Sequence, residues 1–171
     1  MKKRILALAA AFCLLAGTAA AFSDVGQTDW YYDEVEYVSA RGVMGGVSGE
    51  LFSPGEAVSR ATVVTVLYRM EGSPPAAGGV SFPDVPGEGW YSEAAAWAKS
   101  AGVAEGYDSG DFGPGDAVTR EQLAVFLWRY AVMKELETAQ GVLGGYADAG
   151  SISGWAADGM KHAVGAGLIT G

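Results

Sequence analysis

Arg60 and Arg120 are the residues whose placement most invites a chemical reading. They lie 60 residues apart, each directly after a hydroxyl residue, Ser59 or Thr119, and each where a helix should begin. A cation in the first turn opposes the helix dipole, by about 0.3–1 kcal/mol. The same place offers backbone N–H groups that receive anions. A guanidinium added there could grip a carboxylate through two parallel hydrogen bonds. The residues leave two readings open. Either the arginines bind an external anion, a local rule broken as functional sites break them, or each pairs with Asp24, Asp84 or another acid of its own segment. Ser59 and Thr119 are good N-caps in both cases and could also donate hydrogen bonds. Trp30, Trp90 and Trp155 could stack on sugar rings. Tryptophan is equally a hydrophobic anchor, and recurrence just before a helix favours packing.

Other chemistries find little support. His162 is the one histidine, and it aligns with Tyr37 and Trp97, where no imidazole is needed. Asp24, Asp84 and Asp148 recur singly, as turn or capping residues do, rather than as an acid pair. Asp108-Ser109-Gly110-Asp111 lacks the alternating acids and terminal Glu of a calcium loop. No zinc cluster, phosphate loop or nucleophile motif is present. The expectation is a non-enzymatic chain with no cofactor and no metal.

The elements that position these residues come from a duplication. Phe22-Ser23-Asp24-Val25 recurs as Phe82-Pro83-Asp84-Val85, Trp30-Tyr31 as Trp90-Tyr91, Gly46 as Gly106, and Phe52, Pro54 and Gly55 as Phe112, Pro114 and Gly115. Val58-Ser59-Arg60 recurs as Val118-Thr119-Arg120, always at an offset of 60. A third copy starts at Tyr146-Ala147-Asp148 and stops at Gly171, the equivalent of Gly106. Each full copy reads as helix, loop, helix. Tyr31, Val35 and Val38 form an apolar stripe, repeated as Tyr91, Ala95 and Ala98 and as Ala156, Met160 and Ala163. Asp33, Glu93 and Asp158 suit the first turn. Gly42, Gly102 and Gly167 are placed to end the helix. The second helices should bury Val63, Val66, Leu67 and Met70, and Leu123, Phe126, Leu127 and Tyr130. Thr119 and Gln122 can form a capping box that Thr62 breaks in the first copy. Phe52 and Phe112 read as aromatic plugs of the loop.

The N-terminus has the layout of a secretory signal. Lys2, Lys3 and Arg4 precede an unbroken apolar run from Ile5 to Leu15, and Ala19-Ala20-Ala21 suits cleavage before Phe22. The run is shorter than the roughly 20 residues a spanning helix needs. Cleavage would leave 8 basic and 20 acidic residues, a net of −12, and would remove Cys13, the single cysteine. So acidic a chain is unsuited to nucleic acid, and no membrane insertion is expected after cleavage. The expected organisation is a signal at 1–21, repeats at 22–71, 82–134 and 146–171, and linkers at 72–81 and 135–145.

Phe-x-Asp-Val, Trp-Tyr, Gly-Val-x-x-Gly, Phe-x-Pro-Gly and Val-Thr-Arg-Glu, in that order, resemble the S-layer homology repeat. The resemblance runs from Phe22 to Gly171, two complete repeats and the front half of a third. It implies an all-α fold of helix-loop-helix repeats in a pseudo-trimeric arrangement, secreted and held at the bacterial cell wall or S-layer. It implies non-covalent binding to an anionic secondary cell-wall polysaccharide, often at a pyruvate ketal on N-acetylmannosamine. The motif at the second helix start, here Thr119-Arg120-Glu121-Gln122 and Ser59-Arg60-Ala61-Thr62, would line the groove. The candidate polysaccharide site is then Arg60, Arg120, Ser59, Thr119, Trp30, Trp90, Gly46 and Gly106. Asp24, Asp84, Asp148 and Trp155 are assigned structural positions. The incomplete third repeat suggests a longer protein with a cargo domain beyond Gly171, a surface enzyme included. A protein–protein assembly module is the rival reading.

Overall fold

The computed structural model describes residues 22–77 and 81–170, so the signal expected at 1–21 lies outside the described residues. The described residues hold five α-helices: α1 (Tyr32–Ala40), α2 (Arg60–Met70), α3 (Ser92–Ser100), α4 (Arg120–Met133) and α5 (Ala157–Gly165). Three short 3-10 turns, Leu143–Gly145, Ala149–Ser151 and Gly154–Ala156, lead into α5. No strand occurs among the described residues; Ser59 and Ala117 meet in one isolated antiparallel bridge. The all-helical expectation is met.

The described residues divide into two compact units, the first ending at Ser53 and the second beginning at Pro54. The first contains α1, which buries Val35, and a loop plugged by Phe52 against Phe22, with ring centroids 5.3 Å apart. The second contains α2 to α5. The two helices expected for the first repeat thus fall in different units, α1 in one and α2 in the other.

Helix ends follow the local chemistry. Gly42, Gly102 and Gly167 all adopt positive φ, at 65°, 70° and 70°. The N–H of the following residue then reaches back to Val38, Ala98 and Ala163 respectively, at 3.0, 2.8 and 2.8 Å. One glycine-dependent stop therefore closes the first helix of every copy. Ser59 Oγ accepts the Thr62 N–H at 3.1 Å, half a capping box. Thr119 and Gln122 complete theirs, at 3.2 and 3.1 Å.

In the second unit α2 packs on both α3 and α4, and α5 packs on the other side of α4. Val64, Leu67, Phe82, Trp97, Val103, Phe112 and Phe126 form the larger core. Ala124, Val125, Ala156, Met160 and Ala163 form a smaller one. The expected α2 stripe changes accordingly. Val63 and Leu67 are buried and Val66 half-buried, but Met70, the last residue of α2, is exposed. Ala61, Val64 and Tyr68 form a second buried row, because α2 has two neighbours. Likewise α4 turns Phe126 to one core and Ala124 and Val125 to the other, leaving Leu123, Leu127 and Tyr130 half-buried.

Candidate functional site

The loop of each full copy is held by the acid that opens that copy. Asp24 accepts the N–H groups of Phe52 and Ser53 at 2.9 and 2.7 Å. Asp84 accepts those of Phe112 and Gly113, both at 2.7 Å. The Phe52 N–H lowers the Asp24 pKa, outweighing burial together with Ser53. Burial works against the Asp84 charge, yet the N–H groups of Phe112 and Gly113 still hold its carboxyl below the usual range. Each carboxylate thus clamps the loop of its own copy. Asp148 is exposed and directly precedes the second 3-10 turn.

The start of α2 is bound to the loop of the next copy. Val118 N–H donates to Val58 O at 2.9 Å, Arg60 N–H to Asp116 O at 2.9 Å and Ala61 N–H to Pro114 O at 3.1 Å. Thr62 and Val63 donate to Ser59. The backbone donors that sequence reasoning offered to an anion at this helix start are therefore already taken. What remains is the side chain.

Arg60 is 4% exposed. Its Nε donates to Phe112 O at 2.7 Å. Its guanidinium lies 4.4 Å from the Tyr107 ring centroid, 5.0 Å from Phe112 and 5.2 Å from Phe126. Burial pushes its pKa down, opposed by Tyr107, Asp116 and Asp84. No carboxylate of the described residues forms an ion pair with it. Arg60 thus reaches into the second copy and touches a carbonyl and aromatic rings, rather than an acid of its own copy.

The guanidinium lines a cavity of about 360 Å³. Glu105, Gly106, Tyr107 and Asp108 from the loop, Gln122, Phe126 and Arg129 from α4, and Trp155 also line it. Gly106 has φ 85°, and a Cβ there would come within 2.6 Å of Asp111 O and 2.9 Å of the Phe82 ring. The tight turn that presents Tyr107 to Arg60 therefore requires glycine. Tyr107 is steadied by its hydroxyl, which donates to Asp116 at 2.9 Å.

Of the expected site residues, Arg60 and Gly106 line this cavity and Ser59 caps the helix beneath it. Arg120 and Thr119 are exposed at the head of α4 and are not among its lining residues. Gly46, in the first unit, has φ 71° and a Cβ position 2.4 Å from Leu51 O, so it too is a forced turn. The packing preference for the tryptophans does not hold. Trp30, Trp90 and Trp155 are 88%, 64% and 60% exposed. Trp30 and Trp90 each meet the following tyrosine edge-on, at 5.4 and 5.2 Å, which leaves most of the indole in solvent. Trp155, assigned a structural place, is the one that faces the Arg60 cavity. Tyr107, Phe126, Glu105 and Arg129 were missed. Arg129 carried a signal, since it repeats Arg69 at the same offset; Glu105 carried none. His162 is buried on α5 with Nδ1 unpartnered, and no acidic, His or Cys cluster able to hold a metal occurs among the described residues.

The S-layer homology domain model matches residues 21–64 and 81–124. The chain is 32% identical over 169 residues to the surface-layer 125 kDa protein of Lysinibacillus sphaericus, covering 96% of this chain and 14% of that protein. It is 26% identical over 151 residues to the amylopullulanase of Thermoanaerobacterium thermosulfurigenes, covering 88% and 8%. It is 29% identical over 114 residues to an S-layer protein of Bacillus thuringiensis subsp. finitimus, covering 66% and 14%. The chain thus spans no more than 14% of the length of these relatives. No helix among the described residues is long and apolar enough to cross a membrane. With two matched repeats and this helical architecture, the chain belongs to the S-layer homology family, non-catalytic modules that typically attach surface proteins to the cell wall.

Proposed function

We propose that these repeats hold an exported surface protein on the wall by binding a secondary polysaccharide through an anionic substituent, a pyruvate ketal carboxylate, at Arg60. One observation carries this reading. Arg60 is buried and lines a cavity, yet no carboxylate pairs with it. A desolvated cation whose nearest acids, Asp84 and Asp116, act on it without a direct ion pair is costly, and a carboxylate entering the cavity would supply that pair. Trp155 offers an apolar face at the same opening for the ring that bears it. The signal-like N-terminus supports export. The relatives' lengths support a cargo elsewhere in a longer chain, such as a lattice-forming or polysaccharide-degrading domain.

The test is sedimentation of the protein with purified wall polysaccharide, before and after chemical removal of pyruvate. Arg60→Ala should lose a charge-assisted contact of about 1.5–3 kcal/mol, roughly ten- to a hundredfold in affinity. Binding that survives both pyruvate removal and Arg60→Ala would refute the proposal.

A further inference from the structure

The Arg60 cavity contains a second cation. Arg129 lies one helical turn after Phe126, whose ring is itself 5.2 Å from the Arg60 guanidinium. Its Nη2 pairs with Glu105 Oε2 at 2.5 Å. The two side chains are unequal in burial, Arg129 25% exposed and Glu105 71%. An ion pair this open adds little to stability, so the fold has no great need of it. Its backbone is nonetheless well fixed. Glu105 sits between Ala104, whose N–H donates to Ala98 O at 2.9 Å, and the sterically forced Gly106. The position is Gly45 in the first copy, so the carboxylate belongs to this cavity and not to the repeat pattern.

The charges around the cavity balance. Arg60 and Arg129 face Glu105 and Asp108. With Arg129 paired to Glu105 and the Asp108 carboxylate exposed to solvent, Arg60 is the one lining cation with no ion pair to meet an incoming anion. We propose that Glu105 is a specificity-determining residue. By masking Arg129 it tunes the cavity to a substituent with a single negative charge and excludes wall polymers built on phosphodiesters. Such polymers gain affinity from each additional cation they neutralise, and a cavity with one open cation inside an acidic chain gives them little hold. This rests on the anchoring reading above for the identity of the singly charged ligand.

The experiment measures binding of the full chain, by titration calorimetry, to two probes: an oligosaccharide with one pyruvate ketal, and poly(glycerol phosphate). Glu105→Gln keeps the size of the side chain and removes its charge. It should strengthen ketal binding about three- to tenfold, the range for one charge at the rim of a partly hydrated site. It should also bring measurable binding of poly(glycerol phosphate). Adding Arg129→Ala to Glu105→Gln should cancel both gains, with melting of Glu105→Gln itself unchanged. Weakened ketal binding in Glu105→Gln, an unaltered preference between the probes, or a gain that survives Arg129→Ala would each overturn the role of Glu105. Failure of the unmodified protein to bind the ketal probe would instead remove the anchoring reading. The poly(glycerol phosphate) arm tests charge masking without that probe.

Discussion

Phe112 is held at both its N–H and its carbonyl. Asp84 takes its N–H and Arg60 takes its carbonyl, and the two come from different copies. Arg60 therefore combines a structural contact with an open face on a cavity. Arg60→Ala should lose the Phe112 bond and the Tyr107 contact while ending the burial of a cation. The unpartnered carbonyl decides the sign, and a loss of about 1–3 kcal/mol is expected. Thermal melting checks this. Added pyruvylated saccharide should raise the melting temperature of the unmodified protein and leave that of Arg60→Ala unchanged. Asp84→Asn is the companion case. An amide has one acceptor oxygen for two N–H donors, and its NH2 would face the second. A loss of about 1–2 kcal/mol should appear in urea unfolding. An Asp84→Asn protein as stable as the original would mean that the clamp is not what holds the loop.

At the scale of helices, the decisive contact is between α4 and α5. Gly159 lies against Val125 so closely that a Cβ would fall 2.8 Å from its Cγ2 and 2.9 Å from its Cα and N. Backbone cannot yield as the tip of a side chain can, so the helices must separate. Gly159→Ala should therefore cost about 1–3 kcal/mol, although alanine is the better helix former. Gly150→Ala is the control, because a Cβ there meets nothing within 4 Å. Equal stability of the two variants would contradict the close approach. This contact also bears on the site, since α5 is preceded by Trp155 and α4 carries Phe126 and Arg129. Glu121 adds a tether, accepting the Ser153 N–H at 2.7 Å just before Trp155.

At the scale of the molecule, both pH limits are set by groups that fasten separated segments. Asp24, Asp84 and Glu71 have depressed pKa values, Asp24 and Asp84 through the loop clamps and Glu71 through Tyr130 and Lys134. A depressed carboxyl contributes stability that is full above its unfolded pKa and lost as pH falls through the folded one. Stability should thus hold above about pH 4.5 and decline below it. Tyr130 is pushed up to about 12 by burial, then by its bond to Glu71. Its contribution is full below about pH 10 and lost as pH rises toward 12. Tyr130→Phe should flatten part of that alkaline decline and also soften the Glu71 share of the acid one, leaving the Asp24 and Asp84 share in place. Tyr31, Tyr68 and Tyr107, also raised, keep the remainder. Melting followed from pH 3 to 12 checks both limbs, and an unchanged alkaline slope in Tyr130→Phe would refute the assignment.

Local rules were enough for much of this architecture. The helix stops at Gly42, Gly102 and Gly167, the caps at Ser59 and Thr119 and the helical repeat were legible in the sequence. Each depends on residues close in the chain or on the offset of 60. Asp24 and Asp84, by contrast, read only as turn or capping residues, not as clamps on a loop 28 residues on. The candidate site was legible only in part, because it is made of three copies at once. Nothing local says that Arg60 crosses to the Phe112 carbonyl of the next copy, that loop carbonyls occupy the N–H groups at its helix start, or that Trp155 opens onto the same cavity. Nor does local sequence tell a packed tryptophan from an exposed one. Periodicity reports which face of a helix is apolar; which neighbour covers that face, and which charges meet across the gap, depends on how the helices pack. The pairing of Glu105 with Arg129, 24 residues apart, exists only because the loop and α4 are folded against the same cavity.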